Sequence, residues 1–500
     1  MKRFKKYLTP LNITLGFILF VALFLRVYHT GTILGFWYDQ GRDALVIWDF
    51  WHQGKLFLIG PTTGIAGIFR GPWYYWLIAP VYLIAGGNPA AVAIFLASTT
   101  VVAIYFLYKI GEKLGGVRVG LIAALIASLS YYMVISARWL SNPTPMFLIS
   151  MLTIWFLIKF TEGKKSALYG LAFLIGMAIQ FGSAAEVFYI PGAMLILWIY
   201  RKKLGGLKNL IGPALIFFVV FIPQIVFNIR HQGIFMTAVK KFLFEDKSFK
   251  LSFWQMLKIR APFYYDMLAS KFWINGAKIF APFLAVAGLS LVLSWKKLWG
   301  KTIFKIVFIF SLAPLIGMLF FQGNYGNVYE YYFTGYYFIF VLLISCLLVN
   351  LSKNFLGKVV LALFLVVFLV RSFKTTVPFV LTTDNWGPSA VYLSNQKEIL
   401  DWIYQDAGGS GFNVDVYVPP VIPYAYDYLF KWYGGKVHGK LPEDKQVPLL
   451  YTIYEVDGAH PERLDTWLTR QVKIGKVEKE TRYGGITVQR RVRLLYEKNN

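Results

Sequence analysis

The chain has 500 residues, of which 57% are hydrophobic, and its mean hydropathy is +0.54. A soluble protein cannot bury that much apolar surface, so the composition excludes the soluble classes and predicts an α-helical polytopic membrane protein. The formal net charge of +26 does not indicate a nucleic-acid partner, because the basic residues flank apolar runs in short clusters. Cys346 is the single cysteine, which excludes an intrachain disulfide.

The N-terminus reads Lys2-Arg3-Phe4-Lys5-Lys6 before an apolar run over about 11–25. No small-x-small cleavage site follows this run, which favours an uncleaved first helix over a signal peptide. About eleven transmembrane helices are predicted from apolar stretches long enough to span the hydrocarbon. They lie near 11–27, 90–110, 118–136, 144–160, 167–182, 184–200, 208–226, 273–294, 303–321, 333–350 and 355–371.

The charge of the connecting loops predicts how the chain is oriented. With the N-terminus in the cytoplasm, every inner loop is basic, as the positive-inside rule requires. This holds only if 73–85 is a juxtamembrane or re-entrant helix that does not cross. We therefore predict a plasma-membrane protein with a transmembrane domain over 1–371, a first outer loop over 28–89 and a second over 228–272. Within 1–371, all acidic residues except Glu112 and Glu162 fall on or close to the outer side in this arrangement.

The last part of the chain has the composition of a soluble domain. Apolar runs stop after residue 371, and from about 384 to 500 acids and bases are nearly balanced. Helical spacing is found over 396–406, 424–433 and 461–470, and strand-like alternation over 414–418, 449–456 and 486–496. The pattern predicts a small mixed α/β domain, which the topology places outside the cell.

The stretch Trp37-Tyr38-Asp39-Gln40-Gly41-Arg42-Asp43 opens the first outer loop. Placing two carboxylates and a guanidinium beside a bilayer costs free energy, so such a cluster indicates a functional site. Asp39 is a candidate general base for an acceptor hydroxyl, or alternatively the cap of a helix over about 41–51. Asp43 could assist it or bind a metal, or form an ion pair with Arg42. The stretch lacks the His/Cys clustering of a zinc site, but a divalent cation held by carboxylates is left open.

Several basic residues of the outer loops are candidates for binding a phosphate. Arg70 precedes the bend Gly71-Pro72, and its guanidinium could stabilise a leaving phosphate or reach lipid headgroups. Arg138 lies in a turn that ends at Asn142-Pro143. Because Asn-Pro favours turns, a purely structural role of this segment is the alternative. Arg230 and His231 open a basic, aromatic segment, which either covers a lipid-phosphate donor or lies on anionic lipid.

Three further residues are candidates for contact with a sugar or an acceptor. Glu186 lies near the outer end of a predicted helix, where an unpaired carboxylate costs free energy. The alternative to substrate contact is therefore a structural hydrogen bond across helices. Glu330 and Tyr331 belong to a turn rich in Tyr and Asn. These residue types suit sugar recognition, and they also suit a membrane interface.

With these residues assembled, the chain resembles bacterial glycosyltransferases of the GT-C superfold, in the branch of protein O-mannosyltransferase-like and aminoarabinose-transferase-like proteins. The resemblance covers about 1–371. Asp39-Gln40-Gly41-Arg42-Asp43 stands where the family has an Asp-Glu-x-Arg-type motif, and Arg70-Gly71-Pro72 where it has a basic residue before Gly-Pro. Arg-Trp-Leu-Ser-Asn-Pro at 138–143, Asn-Ile-Arg-His at 228–231 and Glu330-Tyr331-Tyr332 also match. Gln40 departs from the acidic second position of the motif, which weakens a claim of metal dependence.

The resemblance implies an enzyme that transfers a hexose or pentose from a polyprenyl-phosphate donor to an extracytoplasmic acceptor, with inversion. Asp39 stands in the catalytic-base position, and any role of the missing acid is lost or falls to Asp43. The acceptor could be a protein, a lipid or a polysaccharide. We predict donor-phosphate contacts from the basic residues Arg42, Arg70, Arg138, Arg230 and His231.

Two other classes of function remain open from the sequence. A transporter or flippase for a lipid-linked saccharide would carry ionisable groups near the midplane of the membrane, which the charge map lacks. A non-catalytic assembly factor would tolerate Asp39→Asn and Arg70→Ala.

Overall fold

The computed structural model describes residues 9–245, 251–321, 326–382, 387, 389–419 and 422–494. Some sequence predictions lie outside these residues. They are the basic cluster at 2–6, the centre of the second outer loop at 246–250, the part of the Tyr- and Asn-rich turn at 322–325, and the end of the last predicted strand beyond 494.

The helices begin where ordinary capping chemistry favours them. The first, α1 (Pro10–Val27), has proline in its first turn, and the Thr9 hydroxyl accepts a hydrogen bond from the Asn12 amide at 3.2 Å. The others before the C-terminal domain are, in chain order, α2 (Thr30–Ile33), α3 (Tyr38–Gln53), α4 (Trp73–Ile84), α5 (Pro89–Gly115), α6 (Val117–Leu129), α7 (Tyr131–Arg138), α8 (Met146–Thr161), α9 (Ala167–Phe181), α10 (Tyr189–Ile199), α11 (Ile211–Val219), α12 (Ile222–Arg230), α13 (Ile234–Lys240), α14 (Phe253–Ser270), α15 (Ala277–Trp299), α16 (Thr302–Leu319), α17 (Tyr337–Leu351) and α18 (Phe355–Leu381). Short 3-10 or π turns extend them at Ala185–Phe188, Arg201–Lys203, Leu207–Leu210, Lys241–Glu245 and Glu330–Tyr336.

Six helices in the described part of the chain are long and apolar enough to cross a membrane, or eight if each of two bent pairs counts as one span. The six are Pro10–Val27, Pro89–Gly115, Ala277–Trp299, Thr302–Leu319, Glu330–Leu351 and Phe355–Leu381. The chain is therefore a multi-pass membrane protein. The predicted spans near 144–160, 167–182 and 184–200 form shorter apolar helices, so the count of eleven crossings is not confirmed. The helix predicted over 355–371 continues to Leu381, because Arg371 and Lys374 interrupt the hydropathy but not the helical backbone.

Each of the two bent pairs has a break at a position where the sequence predicts one continuous span. α6 and α7 meet at 64°, and the segment Leu207–Val219 meets α12 at 53°. At the first break, the buried Arg26 side chain donates to the carbonyl oxygens of Ala127 at 2.7 Å and Ser128 at 3.2 Å. These are carbonyls at the end of α6, which a continuing helix would have satisfied. Arg26 therefore stabilises the break from a neighbouring helix.

The C-terminal domain has the mixed α/β composition that its sequence predicts, with helices and a four-stranded sheet. Its elements are the helices α19 (Leu393–Ala407), α20 (Tyr424–Leu429, continued by a π turn over Phe430–His438) and α21 (Pro461–Ile474), and the strands β1 (Asn413–Tyr417), β2 (Leu449–Glu455), β3 (Gly475–Tyr483) and β4 (Ile486–Arg493). The strand order is β1-β2-β4-β3, with β1 parallel to β2 and the other pairs antiparallel. The strand β3 is not among the predicted strands, because this edge strand is mostly exposed and dominated by charged residues.

This domain rests on the first outer loop. The Trp37 indole donates to the Val391 carbonyl at 2.9 Å, and the Gln396 amide donates to the Phe36 carbonyl at 2.9 Å. At the far end of the loop, the Trp432 indole donates to the Gly86 carbonyl at 2.8 Å. The contacts hold both ends of the loop against the sheet domain, so the loop and the domain lie on the same side of the helical bundle.

Candidate functional site

A cavity of about 590 Å³ lies where the first outer loop meets the ends of the helices. Segments distant in sequence form its walls. They are the loop residues Tyr38 to Arg70, the turn after α7, the break between α9 and α10, the junction of α11 and α12, the helix α13, and residues 321 and 331–332 between α16 and α17. Its lining includes Tyr38, Asp39, Arg42, Thr62, Phe69, Arg70, Trp139, Asn142, Ser183, Phe221, Gln224, Phe235, Phe321, Tyr331 and Tyr332. The cavity thus combines a few charged groups with aromatic and apolar surface.

Asp39 lies in the first turn of α3, with its side chain 58% exposed. The helix begins at Tyr38, so the alternative that Asp39 caps a helix starting near residue 41 is wrong. Gln40 holds this helix start, since its Oε1 accepts from the Trp37 amide at 3.2 Å and its Nε2 donates to the Leu140 carbonyl at 3.0 Å. The residue that departs from the family motif therefore ties the Asp39 turn to the neighbouring wall of the cavity.

Arg42 pairs with both carboxylates of the motif. Its Nη1 lies 2.8 Å from Asp39 Oδ1, and its Nη2 lies 2.8 Å from Asp43 Oδ1, to which Nε also donates at 3.0 Å. Asp43 is buried and accepts a further hydrogen bond from the Tyr75 hydroxyl at 2.9 Å. Burial raises the pKa of Asp43 to about 6, and the interactions with Arg42 and Tyr75 oppose that shift. The ion pair predicted as the alternative for Asp43 is present, and Asp43 does not line the cavity.

The guanidinium of Arg42 lies between the two carboxylates that the sequence offers as ligands for a divalent cation. Among the residues that the structure describes, no three His, Cys, Asp or Glu side chains converge to hold a metal ion.

Arg70 enters the cavity from the other end of the loop. Its Nη1 donates to the Thr62 carbonyl at 3.0 Å, and its Nε donates to the Gly182 carbonyl at 3.0 Å. The Thr62 hydroxyl accepts from Arg42 Nη1 at 3.0 Å, so Thr62 connects the two arginines. Burial lowers the pKa of Arg70, and the charge of Glu186 opposes this effect. A partly buried guanidinium of this kind gains more than a fully hydrated one from an anion placed beside it.

Other predicted phosphate ligands lie elsewhere. Arg138 is buried and turned towards α1, where its Nη1 donates to the Leu25 carbonyl at 3.0 Å. Arg230 and His231 are exposed at the end of α12, and the His231 ring is hydrogen-bonded to the Phe227 carbonyl at 2.8 Å. None of these three residues lines the cavity.

Of the three residues predicted to contact a sugar or an acceptor, one lines the cavity and two do not. Tyr331 lines the cavity, with its ring 5.7 Å from that of Trp139 in an edge-to-face arrangement. Glu186 is buried behind the wall and accepts from the backbone amides of Ser183 at 2.7 Å and Gly335 at 2.9 Å. The carboxylate of Glu330 lies 2.8 Å from the Lys271 ammonium and does not line the cavity.

Six polar residues of the lining are absent from the predicted site, namely Thr62, Thr63, Ser141, Asn142, Ser183 and Gln224. Asn142 belongs to the Asn-Pro turn, from which only Arg138 is a predicted site residue. The others are uncharged residues near helix ends or in a loop. They belong to no sequence motif that would distinguish them from polar residues elsewhere in the chain. Tertiary contact alone brings them together.

Comparison with known proteins supports the resemblance through a match to a family model and through similarity to solved structures. Residues 70–227 match the family model of dolichyl-phosphate-mannose-protein mannosyltransferase. The whole fold is similar to that of ArnT from Cupriavidus metallidurans, with a TM-score of 0.58, 11% identity, and 96% of this chain and 97% of that chain covered. The structure of ArnT from Cupriavidus metallidurans bound to undecaprenyl phosphate aligns with a TM-score of 0.56, 12% identity and the same coverage. The GT-C fold predicted from the sequence is thereby confirmed.

One curated relative also matches, an uncharacterized protein of Aquifex aeolicus (strain VF5), which is 23% identical over 165 residues. The match covers 32% of this chain and spans about a third, 33%, of that relative.

Proposed function

We propose that this chain is an integral-membrane glycosyltransferase of the plasma membrane. It transfers a sugar from a polyprenyl-phosphate donor to an extracytoplasmic acceptor, with inversion. One observation carries the proposal. Asp39 and Arg70 line the same cavity and are joined by Arg42 and Thr62 through contacts of 2.8 to 3.0 Å. A proton acceptor and a phosphate-binding cation are thus held in one site.

The comparisons support the class of donor. The family model that matches residues 70–227 describes enzymes whose sugar donor is linked to dolichyl phosphate. One structure with the same fold, ArnT, is bound to undecaprenyl phosphate. In the present chain, the apolar side chains of the lining, such as Phe221, Phe235 and Phe321, provide a surface that suits a prenyl chain next to the cation.

The reaction needs one proton acceptor and one cation. An acceptor hydroxyl attacks the anomeric carbon of the sugar, its proton passes to Asp39, and the bond from the anomeric carbon to the phosphate oxygen breaks. The products are the glycosylated acceptor and polyprenyl phosphate. Arg42 holds Oδ1 of Asp39, so we assign the proton to Oδ2. Arg70 stabilises the charge that develops on the leaving phosphate, and this phosphate needs no general acid.

The remaining predicted site residues take other roles in this proposal. Asp43 and Arg42 orient Asp39, and Tyr331 forms an aromatic wall against the sugar or the acceptor. Arg138, Arg230, His231, Glu186 and Glu330 lie outside the lining, so we assign them no contact with the donor phosphate. We further infer from the charge of the loops that the N-terminus lies in the cytoplasm and that the C-terminal domain lies outside the cell, next to the loop on which it rests.

A transfer assay tests the proposal. Purified protein is incubated with radiolabelled polyprenyl-phosphate sugars and crude envelope acceptors, alongside the variants Asp39→Asn and Arg70→Met. Loss of a general base lowers turnover by about 10²- to 10⁴-fold, and we expect this for Asp39→Asn. Asp49→Asn is the matched control, because Asp49 lies on the same helix and its side chain forms hydrogen bonds or ion pairs only with Gln53 and Lys55 within the described residues.

The outcomes are distinct. Transfer by the native protein and by Asp49→Asn, with loss in Asp39→Asn, supports the proposal and identifies the donor. Equal transfer by Asp39→Asn removes Asp39 as the base. Absence of transfer from every donor, by folded native protein, overturns the proposal and favours transport or assembly of lipid-linked saccharides. The anomeric configuration of the product, determined by NMR, tests inversion.

A further inference from the structure

Two buried glutamines clamp the backbone on both sides of Arg70. Gln224 Nε2 donates to the carbonyl of Phe69 at 2.8 Å, and the amide of Gly71 donates to Gln180 Oε1 at 2.5 Å. The two side chains are joined directly, since Gln180 Nε2 donates to Gln224 Oε1 at 2.7 Å. The three hydrogen bonds and the intervening backbone form a closed ring, which we call the glutamine ring.

The direction of every bond in this ring is determined by its backbone ends. The Gly71 N–H can only donate, and the Phe69 carbonyl can only accept. Each glutamine must therefore present oxygen on one side and nitrogen on the other, and turning either amide over breaks two bonds. The side chain of Gln180 is fully buried and Gln224 is 7% exposed, so water does not compete freely for these bonds.

The ring also explains why position 71 is glycine. A Cβ at Gly71 would lie 2.4 Å from Gln180 Oε1, closer than any real contact allows. Gln180 stands at the end of α9, and the next residue but one, Gly182, accepts from Arg70 Nε. The end of α9 therefore holds both the backbone and the guanidinium of Arg70.

We propose that Gln180 and Gln224 are positioning residues that set the place of the Arg70 guanidinium in the cavity. They act through the backbone at residues 69 and 71, and they do so without adding charge. This inference rests on the proposed role of Arg70 in binding the donor phosphate. Because a bidentate phosphate contact depends steeply on geometry, freeing the backbone beside Arg70 weakens binding even though the arginine is still present.

The first test needs no ligand. Hydrogen exchange of the purified protein, read by mass spectrometry in a peptide that contains Gly71, compares native protein with Gln180→Met. Methionine has nearly the same size but accepts no strong hydrogen bond, so we expect faster exchange at the Gly71 amide. Unchanged exchange in that peptide overturns the ring as a restraint on this backbone. Gln180→Glu is the second variant, since it keeps the acceptor for Gly71 and loses the donor to Gln224.

The second test measures binding of radiolabelled undecaprenyl phosphate. We expect about tenfold weaker binding by Gln180→Met and by Gln224→Met, with little further loss in the double variant, because both break the same ring. In an Arg70→Met background, Gln180→Met should change binding by less than about twofold. Asn350→Leu is the control, since Asn350 also links two helices through its amide, to Ser294 Oγ at 2.7 Å, away from the cavity.

The outcomes separate this inference from the proposed function. If native protein binds the lipid and Gln180→Met binds it equally well, the positioning role is wrong. If Gln180→Met loses as much affinity in the Arg70→Met background as in native protein, the glutamine acts on general packing and the inference is overturned. If native protein does not bind any polyprenyl phosphate, the proposed function fails, and the exchange experiment alone then decides whether the ring restrains the loop.

Discussion

Gly41 packs directly against the backbone of Ala425. A Cβ added at Gly41 would lie 2.3 Å from the Ala425 amide nitrogen and 2.4 Å from the Tyr424 carbonyl carbon. Beside this contact, the ring centroids of Tyr38 and Tyr424 are 5.0 Å apart. The helix α3, which carries Asp39 and Arg42, is therefore wedged against α20 of the C-terminal domain, so that domain forms part of the support of the cavity.

We expect Gly41→Ala to separate α3 from α20. The contact atoms are backbone atoms that cannot rotate away, so the variant should lose about 1–3 kcal/mol of stability, the usual cost of overpacking. Transfer activity should fall at the same time, because Asp39 and Arg42 move with the helix. Thermal unfolding and the transfer assay measure the two effects.

Gly16→Ala is the matched control for this variant. Gly16 is helical, and a Cβ there would meet no atom within 4 Å. A native-like unfolding temperature and activity for Gly41→Ala would show that the domain does not support the cavity through this contact.

The pH dependence of stability should carry a contribution from Asp43. Burial raises its pKa from 3.8 to about 6, against the opposing effect of Arg42. A raised pKa means that this contribution is fully present below about pH 4 and is lost as the pH rises through about 6. Asp43→Asn removes the titration, so native protein should lose stability relative to this variant between pH 4 and pH 7.

The measurement is the unfolding temperature of both proteins across that range. The difference between them is the informative quantity, because all other titrating groups are shared. Parallel curves would contradict the assignment of a raised pKa to Asp43.

Glu330 should affect stability and not the recognition of a sugar. Its carboxylate lies 2.8 Å from the Lys271 ammonium, and Lys271 is fully buried between the rings of Tyr132 and Tyr337. Glu330→Gln leaves this ammonium without its counter-charge, which should cost about 2–4 kcal/mol. The double variant Lys271→Met/Glu330→Gln should recover most of the loss. Denaturation measures it, and an increased donor KM with unchanged stability would instead indicate contact with the substrate.

Arg138→Met should leave binding of the donor nearly unchanged. The Arg138 side chain is directed to the Leu25 carbonyl, and its buried Nη2 has no hydrogen-bond partner within the described residues. Methionine can occupy the same apolar surroundings without the cost of a buried charge. We expect a donor KM within about twofold of the native value, whereas Arg70→Met should weaken binding at least tenfold, as loss of a charged contact implies. A similar loss in both variants would place Arg138 in the phosphate site.

The sequence predicts the local elements well, for reasons visible in particular segments. Each apolar run near 11–27, 90–110 and 273–294 becomes a helix, and the second continues to Gly115. Lipid offers the backbone no hydrogen-bond partners, so an apolar segment crosses it as a helix whose backbone bonds are internal. The helix–strand pattern of the C-terminal domain follows in the same way, apart from the charged edge strand β3. Breaks such as that between α6 and α7 escape prediction, since the residues on both sides are apolar.

The candidate site is predicted only in part. Asp39, Arg42, Arg70 and Tyr331 line the cavity, and short motifs with a shared sidedness are enough to select them. Arg138 and Glu330 carry equally suggestive neighbours in sequence. Their side chains are nevertheless taken up by Leu25 and Lys271, residues that are 113 and 59 positions away.

By itself, the sequence determined the membrane class, the apolar helices, the separate α/β domain and the loop that carries the charged motif. These properties depend on hydropathy, charge and periodicity, which are local along the chain. Only the tertiary structure decided which charges face the cavity, that Gln180 and Gln224 close a ring around Arg70, and that the C-terminal domain supports α3. Such contacts join residues more than 40 positions apart, and the direction of a buried polar side chain depends on the partner that packing brings to it.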